Sequence, residues 1–304
     1  MVNGAERRDR AAGKLRASLR LPGADVSPRA STRAPVAAVN LRRAYFDCRY
    51  GQLHVRTAFP NTGGFDERTP LVCLHQSPMS SRTFLSVLPA IGTDRSVYAP
   101  DTPGFGDSDA PPRQPSIADY AAAIGDLLDG LRLRQVDLLG YHTGSAIAAE
   151  LAIARPQQVR RVAFVALPVF DRAEREAFDR QPWPVPVRED GGHLLAEWQR
   201  SVQWRGPGVT LEQLAESFGD KLRNGPRAWW GAHAAVHWPG AERLRLVTQP
   251  ALAVRPKDDL WEQTARGMAL LPNARRHDLP ERGFGLFATA AEEMAALLRA
   301  FYDG

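Results

Sequence analysis

The feature that most constrains this chain is an abrupt change from an apolar run to an alanine-rich stretch at residues 138–154. Gly140 and Gly144 bracket the change, with Tyr141, His142 and Thr143 between them. A strand that passes into a helix within so few residues brings two backbones close together, and glycine permits that approach. The centre of such a turn needs a positive φ, which histidine tolerates better than most bulky residues. The pattern predicts a buried strand, a strained turn that displays His142, and a helix.

Further apolar runs recur along the chain. They are short and continuous, as is typical of strands covered on both faces, and lie at 70–74, 96–99, 136–139, 162–167 and 251–254. An antiparallel hairpin is expected before them, with strands at 44–50 and 52–59. Helical patterns alternate with the runs, at 116–131, 144–154 and 292–302. This alternation predicts an α/β fold in which helices cover both faces of a mostly parallel sheet.

The alternation is interrupted between about residues 168 and 245. This interval holds most of the tryptophans and no clear strand-like run. We expect a mainly helical insertion that forms a lid over the carboxyl ends of the strands. The expected organisation is a disordered basic tail at 1–40, followed by one α/β domain at 41–304 that contains the lid.

Charge and composition exclude several classes of function. The 304 residues carry a formal net charge of +5, but residues 1–40 hold eight Lys and Arg against three Asp and Glu, which accounts for the whole excess. A nucleic-acid partner needs basic charge on the folded body, so none is expected. No apolar run reaches about 18 residues, so no membrane partner is expected. Cys48 and Cys73 lie in strand-like segments, which favours a cytoplasmic protein without disulfides or a zinc cluster.

Four segments each lie at the end of an apolar run or directly after one, at 71–77, 99–108, 140–144 and 255–259. Their order, together with the Asp-x-Pro-Gly-Phe-Gly-x-Ser sequence at 101–108, resembles the α/β-hydrolase fold superfamily, specifically its lidded single-domain members. The likeness covers about residues 44–302. It implies an eight-stranded sheet with the active site at the carboxyl ends of the strands.

The resemblance assigns roles to individual positions. In the family, the central residue of the elbow is a nucleophilic serine, and the next backbone N–H forms part of an oxyanion hole. Here these positions hold His142 and Thr143. The second N–H donor maps onto Ser77, and Gln76 replaces the usual glycine before it.

The other two members of the family's catalytic triad map onto the later segments. The acid corresponds to Asp258, with Asp259 as its rival, and the position of the family's catalytic histidine holds Phe284. A Ser-His-Asp hydrolase is therefore excluded, because nothing at the elbow can form an acyl-oxygen ester.

The chemistry expected in place of the Ser-His-Asp mechanism follows from the imidazole of His142 at the elbow. If Asp258 holds one ring nitrogen of His142, the other is a general base that faces the oxyanion hole of Thr143 and Ser77. We expect a serine-free enzyme that acts on a small, fairly apolar carbonyl or ester compound, without a cofactor or metal. Proton abstraction, lyase, cyclase and water-mediated hydrolytic chemistry all remain open. The alternatives are a catalytically inactive relative or a ligand-binding protein of the same fold, and an acyl-imidazole on His142 is disfavoured because such intermediates are labile.

Several further residues are candidates for the pocket or for a metal. The pocket candidates are His75, Gln76, Tyr141, His193, Phe284 and Asp259. A metal site drawn from His75, His142 and Asp258 is considered and not adopted. His233 and His237 have a metal-ligand spacing, but no Glu follows the first histidine as in zinc proteases, so we interpret this segment as a packed lid helix. The expected partner is a small-molecule substrate, and a homodimer is left open.

Overall fold

The computed structural model describes residues 39–61, 67–271 and 273–304, so all but the last two residues of the expected tail lie outside the described chain. Within that part of the chain, strands are found at β1 Val39–Cys48, β2 Gly51–Pro60, β3 Leu71–Leu74, β4 Val97–Pro100, β5 Val136–Tyr141, β6 Val159–Val165, β7 Ala251–Pro256 and β8 Ala274–Leu279. They form one sheet in the order β1-β2-β4-β3-β5-β6-β7-β8. The pairs β1–β2 and β2–β4 are antiparallel, and the other neighbours are parallel. The eight-stranded, mostly parallel sheet expected from the sequence is confirmed.

Helices connect the strands. They are α1 Leu88–Ile91, α2 Ile117–Gly130, α3 Thr143–Ala154, α4 Arg172–Asp179, α5 Gly192–Gln203, α6 Leu211–Leu222, α7 Trp230–Val236, α8 Gly240–Arg243, α9 Trp261–Leu270, α10 Leu286–Thr289 and α11 Ala291–Tyr302. Helices α4 to α8 all lie between β6 and β7, in the interval where the strand-like pattern is interrupted. None of the helices in the described part of the chain is long and apolar enough to cross a membrane.

The sheet is buried on both faces, as its continuous apolar runs require. Along β3, Val72 and Leu74 belong to a core that includes α2 and α3, whereas Leu71 and Cys73 belong to a second core that includes α11. Successive residues of a strand point to opposite faces. Each face of the central strands therefore packs against its own hydrophobic core. The two cores together fix the positions of the strand ends.

Element boundaries differ from the expected ones mainly at strand ends. Strand β5 continues two residues beyond the predicted run, because Gly140 and Tyr141 pair with Phe164 and Val165 of β6. The ladder depends on backbone groups and continues where the side chains stop being uniformly aliphatic. The start of α2 agrees with the prediction: Ser116 Oγ accepts a hydrogen bond from the Asp119 N–H at 3.2 Å.

The turn between β5 and α3 is the tight elbow that the two glycines predict. His142 has φ 50° and ψ −116°. A Cβ atom on Gly140 would lie 2.4 Å from the Gly144 carbonyl oxygen, and one on Gly144 would lie 2.0 Å from the carbonyl oxygen of Leu74. The elbow is therefore packed directly against the end of β3, and these two positions require glycine for steric reasons.

We expect Gly144→Ala to lower the free energy of unfolding by about 3 kcal/mol, the upper part of the range for overpacked sites. The new methyl group would collide with rigid backbone rather than with a side chain that can move. Urea denaturation followed by circular dichroism measures this change.

Gly219→Ala is the matched control, because Gly219 lies within α6 and has open space where its Cβ would be. There the same substitution should stabilise the protein by about 0.5–1 kcal/mol, since alanine is the better helix former. Equal effects at the two positions would contradict the packing argument at the elbow.

Candidate active site

The carboxyl ends of three parallel strands bring the sequence-predicted residues to one edge of the sheet. His75 follows β3, His142 follows β5, and Asp258 lies two residues beyond β7. In open α/β sheets this edge is the usual place for a ligand site.

Asp258 is the acid that contacts His142. The Nε2 atom of His142 donates to Asp258 Oδ2 at 2.9 Å, because an ionised carboxylate can only accept. The other oxygen, Oδ1, accepts a hydrogen bond from the Leu260 N–H at 3.0 Å. The Asp258 side chain is fully buried, and that of His142 is 11% exposed. The carboxylate is thus fixed from two sides and sets the orientation of the ring.

The second ring nitrogen of His142 has a different environment. Its Nδ1 lies 3.9 Å from Oδ1 of Asp259, too far for a hydrogen bond but close enough for charge attraction. With the proton on Nε2, Nδ1 carries a lone pair. Asp258 therefore orients the ring and Asp259 provides negative charge near its free nitrogen.

Charge and burial compete at this histidine. Burial lowers the pKa of His142, but the charge and hydrogen bond of Asp258, helped by Asp259, more than offset it, so that the pKa is raised above its ordinary value. Burial raises the pKa of Asp259; His142 opposes this change and Asp258 adds to it. The site is arranged to stabilise an imidazolium.

Aromatic rings surround the imidazole. Tyr141 packs edge-on against the ring of His142 at a centroid distance of 4.6 Å, and Phe284 lies at 5.2 Å. Trp204, at the end of α5, contacts Phe284 at 6.3 Å. Burial raises the pKa of Tyr141 well above its ordinary value, so this hydroxyl stays neutral. The resulting wall is apolar and aromatic.

The resemblance assigns the oxyanion donors to the backbone N–H groups of Thr143 and Ser77. Among the described residues, neither the Thr143 N–H nor the Ser77 N–H has a hydrogen-bond acceptor. The side chain of Gln76 turns away, with its Oε1 accepting a hydrogen bond from Thr83 Oγ1 at 3.0 Å. The Gln76 side chain is therefore held by Thr83.

His75 is a structural residue in this arrangement. Its Nε2 accepts a hydrogen bond from the Thr102 N–H at 2.8 Å, and its Nδ1 donates to the carbonyl oxygen of Gln76 at 2.9 Å. Burial lowers its pKa, although Asp101 opposes the change. A neutral imidazole with both nitrogens occupied holds the loop before Ser77 and has no free nitrogen for a metal or a substrate.

The remaining candidates lie apart from this centre. His193, near the start of α5, accepts a hydrogen bond from the Arg188 N–H at 3.1 Å, and within the described chain no hydrogen bond or ring contact joins it to His142. Ser145, on the first turn of α3, is completely buried and donates to the Val165 carbonyl oxygen at 2.9 Å. Ser145 is therefore not positioned as a nucleophile.

Sequence reasoning missed the contacts that helices α4 to α8 make with the site. A Cβ on Gly231 of α7 would lie 1.9 Å from Ser77 Oγ, and one on Gly206 would lie 1.9 Å from the Phe284 carbonyl oxygen. Asp220 of α6 accepts a hydrogen bond from Ser80 Oγ at 2.7 Å. These contacts join residues far apart in sequence, and no local pattern signals them.

The side chains of His142, Asp258 and Asp259 could also hold a metal ion, since each offers one ligand atom and these atoms lie within 4.8 Å of one another. A cleft of about 550 Å³ lies elsewhere: it is lined by the start of α2 and by residues of α7 and α8, and His142 is not among its lining residues.

Comparisons with known proteins agree with this architecture. The model of the alpha/beta hydrolase fold family matches residues 69–194. The enol-lactonase from Burkholderia xenovorans LB400 superimposes with a TM-score of 0.70 over 86% of this chain and 100% of that one, at 16% identity. The chain has the α/β-hydrolase fold.

Individual α/β-hydrolase relatives are distant. The chain is 34% identical over 92 residues to a haloalkane dehalogenase from Mesorhizobium japonicum, a match that covers 30% of each protein. It is 26% identical over 291 residues to a proline iminopeptidase from Heyndrickxia coagulans, which covers 85% of this chain and 98% of the peptidase. The match to the dehalogenase thus spans less than a third of that enzyme's length. Both relatives are enzymes by name, and their names do not share one substrate.

The geometry predicts a raised pKa for the His142 side chain. We expect its pKa, measured by NMR of the ring Cε1–H, to lie above the ordinary value of 6.5. Asp258→Asn should lower it by removing the charge that stabilises the imidazolium. Because the folded-state pKa is raised, the associated stability is present below the unfolded pKa and is lost as pH rises through the folded value.

Asp278→Asn is the control for this titration. Asp278 lies on β8 and pairs with Arg255 at the surface, so its substitution should leave the His142 resonance where it is. A His142 pKa below 6.5 in the wild-type protein, or equal shifts in both variants, would contradict the proposed electrostatics.

Proposed function

We propose that this protein is a serine-free α/β-hydrolase-fold enzyme in which His142 is the general base. The observation that carries the proposal is the 2.9 Å contact from His142 Nε2 to the buried Asp258, because it leaves Nδ1 as the nitrogen with the lone pair. In the usual triad a serine and a histidine span the distance from the elbow to the acid. Here one imidazole spans it alone, through a direct hydrogen bond of 2.9 Å between the ring and the carboxylate.

The reaction that the site supports best is hydrolysis through an activated water. Nδ1 of His142 takes a proton from water, and the hydroxide attacks a substrate carbonyl carbon. The oxygen that becomes negative is stabilised by the N–H groups of Thr143 and Ser77. The imidazolium, stabilised by Asp258 and Asp259, then returns its proton to the leaving group as the tetrahedral intermediate collapses. The same base can remove a proton from carbon, which keeps lyase and cyclase chemistry within reach of this site.

The surroundings of the base favour a small, fairly apolar substrate. Tyr141, Phe284 and Trp204 form the aromatic wall beside the imidazole. The contacts of Gly231 with Ser77 and of Gly206 with Phe284 support a lid role for the segment at about 168–245. Such a lid would exclude bulk water and strengthen the electrostatic interactions inside.

The names of the relatives point the same way. They include a haloalkane dehalogenase, a proline iminopeptidase and a 2-hydroxymuconate semialdehyde hydrolase from Pseudomonas sp. (strain CF600). One of them is a hydrolase by name and another is a peptidase, which favours hydrolysis over the other reactions open to a general base.

His142→Ala should reduce kcat/KM by about 10²–10⁴-fold, the contribution of a positioned general base. The substrates to use are short-chain p-nitrophenyl esters and β-dicarbonyl compounds with small apolar groups, with products followed by mass spectrometry. For wild-type enzyme the rate should rise with pH through the raised pKa of His142, because only the unprotonated ring accepts a proton.

His277→Ala is the matched control, since His277 is an exposed histidine on β8. It should retain wild-type rates. Full activity in His142→Ala would overturn the proposal. A ligand that raises the melting temperature of the wild-type protein without forming product would instead favour the ligand-binding alternative.

The position of Phe284 allows a test in which the family's catalytic triad is rebuilt by two substitutions. The double variant His142→Ser with Phe284→His should contain a serine, a histidine and Asp258 in the family's arrangement, and should react covalently with a fluorophosphonate probe. The wild-type protein and His142→Ser alone should not react, which mass spectrometry of the intact protein measures. Labelling of the wild-type protein would mean that a serine is the nucleophile after all.

A further inference from the structure

A second cluster of histidine and aspartate side chains lies on helices α4 and α7, outside the site of His142. The His237 N–H donates to the carbonyl oxygen of His233 at 3.0 Å, so helical hydrogen bonding continues past the end of α7. Both imidazoles therefore lie on one face, with ring centroids 4.3 Å apart. Asp179, the last residue of α4, places its Oδ1 2.9 Å from Nε2 of His237. One ligand atom from each of the three lies within 4.8 Å of the others.

We propose that Asp179, His233 and His237 form a binding site for a divalent transition-metal cation, with Zn²⁺ as the best match. Two imidazole nitrogens and one carboxylate oxygen are a donor set that Zn²⁺ takes in proteins, at about 2.0–2.2 Å from each atom. Three protein ligands leave one position of a tetrahedral site open. Asp179, which is 54 residues before His233 and absent from any sequence motif, supplies the ligand that the histidine pair alone lacks.

Aromatic side chains hold this cluster in place. The ring of Phe178 lies 6.1 Å from that of His233 and 6.4 Å from that of His237, and Trp229 contacts His233 edge-on at 5.2 Å. Trp183 stacks on Phe178 at 5.0 Å. The histidine rings thus lie on an aromatic platform that restricts their orientation and lowers the local dielectric constant.

The open coordination position has access to the cleft of about 550 Å³, which His233 and His237 help to line. Glu150 also lines this cleft, but it does not complete the coordination shell. Its Oε1 accepts from Trp238 Nε1 and Arg243 Nε, and its Oε2 accepts from Arg243 Nη2, each at 2.7 Å. Water or a ligand in the cleft would take the fourth position. The side chains of His237 and Asp179 are 35% and 53% exposed, so an ion reaches them without unfolding.

The test uses the full-length protein without a histidine tag, stripped of metal with a chelator. Calorimetric titration with Zn²⁺ should give one equivalent with a Kd in the micromolar range or below. His233→Ala, His237→Ala and Asp179→Asn should each weaken binding at least tenfold. Co²⁺ as a probe should give the visible absorption of a four-coordinate site in the wild-type protein only.

Two controls separate this site from others. His277→Ala, at an exposed histidine of β8, should bind as the wild type does, and His142→Ala should as well, because the cluster does not involve the active site. Asp179→Asn and His237→Ala should keep the metal-free melting temperature, since Asp179 and His237 form a surface pair that contributes little to stability. Zn²⁺ should raise the melting temperature of the wild-type protein but not theirs.

Two results would overturn the inference. One is unchanged Zn²⁺ affinity in all three cluster variants. The other is a loss of binding in His142→Ala that the cluster variants do not share, which would assign the metal to His142, Asp258 and Asp259. Either result leaves the ester and carbonyl assays to decide the proposed function on their own.

Discussion

The contact between His142 and Asp258 is the interaction on which the rest of the site depends. It joins the elbow after β5 to the loop after β7, across the intervening strand β6. The contact fixes which ring nitrogen holds the proton and directs the other one to the space beside Asp259. Removing one partner would leave a buried charge or a buried polar group without compensation, which is costly. The orientation of the imidazole is therefore set by the sheet that positions both partners.

The strained backbone conformation at the elbow is also held in place by contacts between neighbouring elements of the sheet and its helices. His142 has a positive φ, a conformation that costs a residue with a side chain of order 1–3 kcal/mol. It persists because Gly140 and Gly144 allow β5, α3 and β3 to pack in direct contact. This packing of the surrounding backbone holds His142 in its positive-φ conformation. Strain held in this way keeps the His142 side chain in one place before any ligand arrives.

Much of this architecture could be predicted from the sequence because its signals are local. Apolar runs, the capping pair Ser116 and Asp119, and the two elbow glycines each report on a few neighbouring residues. The contact between His142 and Asp258 could also be predicted from the sequence, because the carboxyl ends of parallel strands lie at one edge of the sheet. Strand ends were less predictable, since backbone pairing continues to Tyr141 after the aliphatic run has stopped.

The remaining features depend on packing between distant segments. Gly231 against Ser77, Trp204 against Phe284, and Asp179 against His237 join residues that no periodicity relates. Their positions follow from how helices α4 to α8 settle on the sheet, which is decided by the shapes of many side chains together. A single sequence contains the histidine pair at 233 and 237 but gives no sign of the carboxylate that completes the cluster.

Helix α7 belongs to two surfaces at once. Gly231 faces the loop that carries Ser77, while His233, two residues later, faces Asp179 and the cleft. One residue of an α-helix corresponds to a rotation of about 100° and a rise of 1.5 Å. A single-residue insertion or deletion before Gly231 would therefore turn both surfaces away from their partners together. The angular register of this short helix therefore links the Ser77 contact to the Asp179 cluster, and a shift in one is accompanied by a shift in the other.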